Sequence, residues 1–295
     1  MYNIEQLKMF VYAVELGSFS ASARQLGKVQ SAVSQGISNL EIDFNVKLFD
    51  RSTRKPSLTK AGEQLFKQVK AIVLQVEDLN VTVNAMGSGE EGLIKIALDD
   101  SLLVPNLSKI LSEFSKQFPA TEVELVACTT TEVNPLIIEE RADIGLMFTN
   151  LAFDVGSEPC FIGHLPFIAV CHPSHALAKT GVAKLSDLLP HRQLMLRGDK
   201  GKVMDQFPLI AGKVWWSNSF IVIKEVVLGS DIGWAYLPKH LVEEELDKQR
   251  LVEINVSFDH KTWSPPVDLV LSKTRSKGPA LLWLEQALKG LLDET

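Results

Sequence analysis

The chain has 295 residues, 30 Lys+Arg against 36 Asp+Glu, and a formal net charge of −6. That length is comfortable for two or three domains, and 46% hydrophobic with 22% charged residues describes an ordinary globular protein and excludes a disordered one. No apolar run reaches membrane-spanning length, and the opening MYNIEQLKMF lacks the basic and apolar regions of a secretory signal, so a cytoplasmic location away from any membrane is expected.

A first helix is predicted from about Ile4 to Leu16, because Leu7, Phe10, Val11 and Val14 fall at i, i+3, i+4, i+7. Gly17 stops it. Ser18 or Ser20 caps a short second helix through Leu26, in which Ala21 and Ala23 permit close approach. Gly27 turns the chain into a third helix, about Gln30 to Asp43, that buries Val33, Ile37 and Leu40. Two short helices joined by a tight glycine turn and packed on a first helix make a helix-turn-helix. Leu48–Ser57 follows as a short wing with Pro56 near its end.

Thr59 is placed to cap a long helix reaching about Met86. Leu65, Val69, Ile72, Val76, Leu79, Val83 and Met86 alternate four and three apart, an a/d heptad seam on a helix about 40 Å long. The seam is narrow and its flanks (Lys67, Gln68, Lys70, Gln75, Glu77, Asp78, Asn80) are polar. This favours pairing with the same helix of a second chain over burial against its own domain. Gly87-Ser88-Gly89 is expected to break the helix and form a hinge.

Beyond the hinge the pattern alternates. Strands are predicted at Leu93–Leu98, Glu122–Cys128 and Ile144–Phe148, with helices at Val104–Gln117 and Glu132–Glu140 between them. A second group has strands near Phe167–Cys171, Gln193–Arg197, Lys213–Trp216 and Ile232–Tyr236, and helices at Phe220–Leu228 and Lys239–Leu246. A late strand at Val267–Ser272 and a terminal helix at Pro279–Asp293 complete it. Such alternation implies parallel sheets covered by helices, and two groups with a returning chain imply two lobes around a cleft.

On the third helix Ser31, Ser34, Gln35 and Ser38 form a stripe opposite Val33, Ile37 and Leu40. A merely solvated face usually carries Lys and Glu, which favour helix more than Ser does. Short neutral side chains can enter a major groove, and Gln can pair with adenine N6/N7. The helix's N-terminal residues, Gln30 among them, come nearest the bases of double-stranded DNA. Arg51, Arg54 and Lys55 on the wing suit phosphate or a minor groove. The charge is distributed accordingly: residues 1–89 hold ten Lys+Arg against eight Asp+Glu, so the acidic excess lies in the remainder.

The segment carries Ala21, Ala23, Leu26, Gln30, Ala32, Val33, Ser34, Ile37, Leu40, Glu41, Leu48, Phe49, Arg51, Leu58, Thr59, Ala61 and Gly62 in that order. It resembles the N-terminal signature of the LysR-type transcriptional regulators. The chain departs from that pattern at Val29, where Ser is common, at Ser31, where Pro is frequent, and at Gln35, where Arg is frequent. The resemblance extends to Phe118-Pro119, Asp143-Ile144-Gly145, His172–Ala178 and Gly233–Pro238. It implies an α+β multi-domain chain: a winged helix-turn-helix (1–58), a linker and dimerisation helix with hinge (59–89), and a two-lobed α/β effector-binding domain (90–295) similar to type 2 periplasmic binding proteins. Lobe one would be 92–162 plus 268–295, and lobe two 163–267. The implied partners are DNA, a small-molecule effector, further copies in a homodimer or homotetramer, and RNA polymerase; no cofactor is implied.

Strand ends that meet helix N-termini offer free N–H groups to a ligand. Asp100 and Ser101, then Thr129, Thr130 and Thr131, then Ser217, Asn218 and Ser219 stand at three such ends, although each set taken alone is equally a helix cap. Phe148, Trp216 and Trp234 can supply apolar walls or core. Arg197, before Gly198–Gly201, can pair with a carboxylate or sit as an exposed loop arginine.

Two other functions compete. A cytoplasmic solute-binding module with a non-functional DNA-binding domain fits the lobes alone. An enzyme is disfavoured, since G-x-S-x-G, P-loop, H-E-x-x-H and dinucleotide fingerprints are absent from the sequence. His172 and His175 stand three apart in a loop, and no metal site is expected there. Cys128, Cys160 and Cys171 have no metal-ligand spacing, and Cys128 and Cys171 end apolar runs as core residues do.

Overall fold

Asn3 starts the first helix, α1 (Ile4–Glu15), through a reciprocal cap: its side chain accepts the Gln6 N–H at 3.0 Å while Gln6 Oε1 accepts the Asn3 N–H at 2.9 Å. The structure is a computed structural model that describes residues 1–50, 57–150, 156–198, 201–204, 206–274 and 276–293. The chain divides into two units, Met1–Gly87 and Ser88–Thr295, each with its own core.

In the first unit α1 buries Leu7, Phe10 and Val11 as the spacing predicts. Helix α2 (Phe19–Gln25) is capped by Ser18, and Gly27, at φ +63°, turns the chain into α3 (Gln30–Phe44). Val29 precedes α3 without a side-chain cap, as its apolar side chain dictates. Gly36 permits the close meeting of α1 and α3, since a Cβ there would lie 2.2 Å from Met9 Sδ. Strands β1 (Phe49–Asp50) and β2 (Ser57–Leu58) pair antiparallel as the base of a wing.

Helix α4 (Lys60–Ser88) is started by Thr59, whose Oγ1 accepts the Gly62 N–H at 3.0 Å. It runs through Gly87 and Ser88 instead of breaking there, and the left-handed residue is Gly89, at φ +75°. A glycine within a helix costs only about 1 kcal/mol against Ala, too little to end it. The predicted seam also divides. Val69 is buried and Leu65 half-buried in this unit's own core, beside Phe66 and Val73. The reason is a set of contacts that hold α4 along α1: Tyr12 Oη donates to Glu77 Oε1 at 3.1 Å, and Lys70 pairs with Glu15 at 2.6 Å. Leu65 and Val69 are therefore corrected from seam to core. Ile72, Leu79, Val83 and Met86 are exposed and Val76 half-buried.

The second unit contains, in order, β3 (Leu93–Asp99), α5 (Pro105–Gln117), β4 (Glu122–Cys128), α6 (Thr130–Ile138), β5 (Ile144–Phe148), β6 (Ser157–His164), β7 (Phe167–Cys171), α7 (Leu185–Leu188), β8 (Arg192–Leu196), β9 (Val214–Ser217), α8 (Phe220–Gly229), β10 (Gly233–Pro238), α9 (Lys239–Asp247), β11 (Val252–Glu253), β12 (Pro266–Ser272) and α10 (Pro279–Lys289). One sheet has the order β4-β3-β5-β12-β6 and the other β11-β7-β10-β8-β9.

The sheets are mixed, not parallel as the alternation implied. β3 runs parallel to β4 and β5, and β8 parallel to β9 and β10, but β12 is antiparallel to β5 and β6, and β7 to β10 and β11. The exceptions lie where the chain crosses between lobes. β6 leads directly into the second lobe, and β12 returns from it with no helical crossover to reverse its direction. One hydrophobic core runs through both lobes, from Ile94 and Ile96 to Leu237, with Phe148 and Phe167 rings 5.6 Å apart at the junction.

Candidate functional site

The α3 stripe faces away from the buried Val33, Ile37 and Leu40. Gln30, Ser31 and Gln35 are exposed, Ser34 and Ser38 half-buried. Three local bonds pose these groups. Ser20 Oγ donates to Gln30 Oε1 at 2.8 Å, Gln35 Nε2 donates to Asn39 Oδ1 at 2.8 Å, and Ser38 Oγ donates to the Ser34 carbonyl at 2.9 Å. A Gln side chain has a carbonyl acceptor and two amide N–H donors, of which the Asn39 bond takes one N–H. Arg51, Arg54 and Lys55 lie outside the described residues.

Glu41, one residue of the sequence signature, joins α3 to the segment that follows it. Its buried carboxylate accepts the Leu48 N–H at 2.8 Å and the Phe49 N–H at 3.1 Å, with Lys47 Nζ 3.5 Å away. These bonds tie α3 to the start of the wing. Gly62 completes the tie, because any Cβ there would meet the Leu48 carbonyl oxygen at 2.2 Å.

In the second unit, the first two strand ends meet around a residue that the sequence reading passed over. Asp99 is buried at the tip of β3 and gathers four donors: Ser101 N–H at 3.2 Å, Ser101 Oγ at 2.6 Å, Thr130 N–H at 3.0 Å and Thr130 Oγ1 at 2.9 Å. Burial pushes its carboxyl up to about 6, with a further push from the Asp100 charge, while the Ser101 and Thr130 bonds oppose it. Ser101 and Thr130 are thus committed to an internal network. Thr129 is committed too, its hydroxyl donating to Glu132 Oε2 at 2.5 Å.

Asp100 turns the other way. Its carboxylate accepts from Ser219 Oγ at 2.5 Å, from the Phe220 N–H at 3.0 Å and from the Ile221 N–H at 3.4 Å. The third predicted set, at Ser217–Ser219, therefore does meet the first, but through the chain's own carboxylate. Phe148 and Trp234 are fully buried core and line no accessible wall, a correction that follows from their packing in the shared core. Trp216 is exposed, with the Arg197 guanidinium 5.3 Å over its ring and Arg197 Nε donating to the Gly201 carbonyl at 3.2 Å. Arg197, Trp216 and Asn218 border an open depression with Gly198 and Gly201, and Gly198 packs against Thr131, where a Cβ would lie 2.2 Å from the Thr131 hydroxyl.

The space left between the lobes is a cavity of about 290 Å³. Thr130, Thr131, Thr149 and Asn150 line it from lobe one, and Lys202, Val203, Met204 and Gln206 from lobe two. Among the described residues of its lining Lys202 is the cation, and the Gln206 Nε2 is buried without a hydrogen-bond partner. Of these eight, Thr130 and Thr131 belong to a strand end that the sequence marks as a candidate ligand set. The others sit on strand ends and a loop that carry no motif.

Among the described residues no group of His, Cys, Asp and Glu is arranged to hold a metal, and no helix is long and apolar enough to cross a membrane. Burial pushes the Cys128 thiol up to about 12 and the Cys171 thiol to about 11, which disfavours the thiolate in both.

Residues 4–63 match the bacterial regulatory helix-turn-helix domain of the lysR family, and residues 87–293 match the LysR substrate binding domain. The HTH-type transcriptional regulator AceR of Acinetobacter baumannii is 27% identical over 283 residues, 96% of this chain and 95% of AceR. The HTH-type transcriptional regulator CrgA of Neisseria meningitidis serogroup C is 27% identical over 259 residues, 85% of each protein. The fold is also that of two solved structures. One is CrgA, at TM-score 0.52 and 24% identity over 100% of this chain and 99% of that one. The other is full-length LysG of Corynebacterium glutamicum with its bound effector Arg, at TM-score 0.53 and 19% identity over 99% and 98%.

Proposed function

The chain belongs to the LysR family of bacterial helix-turn-helix transcriptional regulators, and from that premise we propose how its own residues divide the work. Regulators of this family bind DNA and small-molecule effectors and form oligomers. In this chain Gln30, Ser31, Ser34, Gln35 and Ser38 read base edges, and Arg51, Arg54 and Lys55 hold the phosphate backbone. Ile72, Val76, Leu79 and Val83 bury their apolar surface on α4 of a second copy, so that two recognition helices address two half-sites. The assembly is a homotetramer built from such dimers, acts in the cytoplasm and contacts RNA polymerase at its promoters. It performs no catalysis. The effector occupies the cavity of about 290 Å³ between the lobes, where Lys202 and Gln206 face Thr131 and Thr149.

The observation that carries this reading is the α3 stripe: small neutral polar groups, exposed or half-exposed, posed by hydrogen bonds opposite a fully buried face. An effector that prefers one arrangement of the lobes shifts the population of DNA-bound forms, coupling the two sites. A footprint of the purified protein on the DNA upstream of its own gene tests it. Protection that changes when cell metabolites are added is expected. Absence of protection under all conditions would leave a solute-binding module without a working DNA-binding domain.

A further inference from the structure

The cleft already contains a carboxylate, and it belongs to the chain. Asp100, on lobe one, is buried against the N-terminus of α8 on lobe two. The first three amides of that ten-residue helix are all engaged. Phe220 and Ile221 donate to Asp100, and Val222 donates to Ser219 Oγ at 3.2 Å. A full negative charge therefore sits where the helix dipole and free N–H groups would hold an external anion. Beside it the Phe207 ring fills the adjoining space, 5.4 Å from Phe148 of lobe one and 5.7 Å from Phe220 of lobe two. The space that remains lies toward Lys202 and the unpartnered Gln206 Nε2.

We propose that Asp100 is a specificity-determining residue of the effector cleft: it fills the α8 amide cradle with the chain's own carboxylate and so excludes an external carboxylate from that end. The effector then presents its acceptor group to Lys202 and Gln206, and it reaches α8 only by expelling Asp100. The inference rests on the reading that the cleft is the effector site.

The test compares full-length wild type, Asp100→Asn and Asp100→Ser by amide hydrogen exchange across residues 219–223, with acetate and benzoate as probes and chloride at equal ionic strength as control. In wild type neither probe is expected to slow exchange there. Asp100→Asn keeps the shape but loses the charge, and exchange at Phe220 and Ile221 is expected to rise about tenfold or more. In Asp100→Ser both carboxylates are expected to restore protection and raise Tm, and chloride to do neither. Protection of 219–223 by acetate or benzoate in wild type, or unchanged exchange in Asp100→Asn, would overturn the proposal. If Asp100→Ser does not fold, those two arms still decide it. A footprint run alongside separates the two readings. Carboxylate binding gained by Asp100→Ser with no effect on DNA occupancy refutes the effector role of the cleft and leaves Asp100 as the excluding residue.

Discussion

Single residues carry more of this protein than their sequence neighbourhood announces. Gln35 is hydrogen-bonded to Asn39 on the exposed stripe where we propose base contact, and a good bidentate base contact is worth about 1–3 kcal/mol of discrimination. Gln35→Ala is expected to weaken operator binding by about tenfold or more while leaving affinity for scrambled DNA unchanged, as read by fluorescence anisotropy on both duplexes. Asp99 is a second case. Its folded value of about 6 lies above the ordinary 3.8, so the folded state takes up a proton more readily than the unfolded chain. Its contribution to stability is therefore largest below 3.8, declines as pH rises to about 6, and beyond that stays at its minimum. A carboxyl ¹³C titration of Asp99 is expected to give a midpoint near 6, and a midpoint near 4 would show that its four donors outweigh burial. Neither role follows from composition. Asp99-Asp100-Ser101 reads as one polar cluster, and only the direction of the chain at the tip of β3 sends one carboxylate into the lobe and the other across the cleft.

At the scale of elements, what was legible from sequence was periodicity. The 3.6-residue pattern located α1 and α3 and identified their buried faces, and each apolar run of the second unit named in the first five strand predictions became a strand within a residue or so of its expected ends. β6 escaped because Pro159 and Gly163 interrupt its pattern, and the antiparallel course of β12 escaped because direction is not encoded in a strand's own residues. The seam of α4 shows the same limit. A heptad states that a stripe is apolar, but not what covers it, and α1 claims Leu65 and Val69 through ion pairs and a tyrosine hydroxyl. The remaining stripe leaves Leu79 and Val83 more than half exposed. Leu79→Glu with Val83→Glu is expected to shift the protein toward monomer in sedimentation equilibrium without lowering the Tm of the N-terminal unit. A variant that stays assembled would mean that α4 is not the pairing surface.

For the whole molecule, charge is partitioned with function. The acidic balance lies beyond residue 89, and the proposed phosphate contacts draw on a small basic set that includes Arg51, Arg54 and Lys55. Each phosphate contact contributes about 0.9 to the slope of log K against log salt. Arg51→Ala with Arg54→Ala is expected to flatten that slope by about 2 and to weaken cognate and scrambled duplexes alike, the opposite of the Gln35 variant. An unchanged slope would take the wing out of the phosphate contacts. The amino-acid sequence by itself determined the modules, their helical faces and the chemistry of the polar stripe on α3, because these depend on local period and side-chain type. Only the tertiary structure decided that the cleft closes on its own Asp100 and Phe207, and that its open end belongs to Lys202 and Gln206. Asp100 lies about a hundred residues before the other three in the chain, and its bonds to α8 and the Phe207–Phe148 ring contact exist only once two lobes share one core.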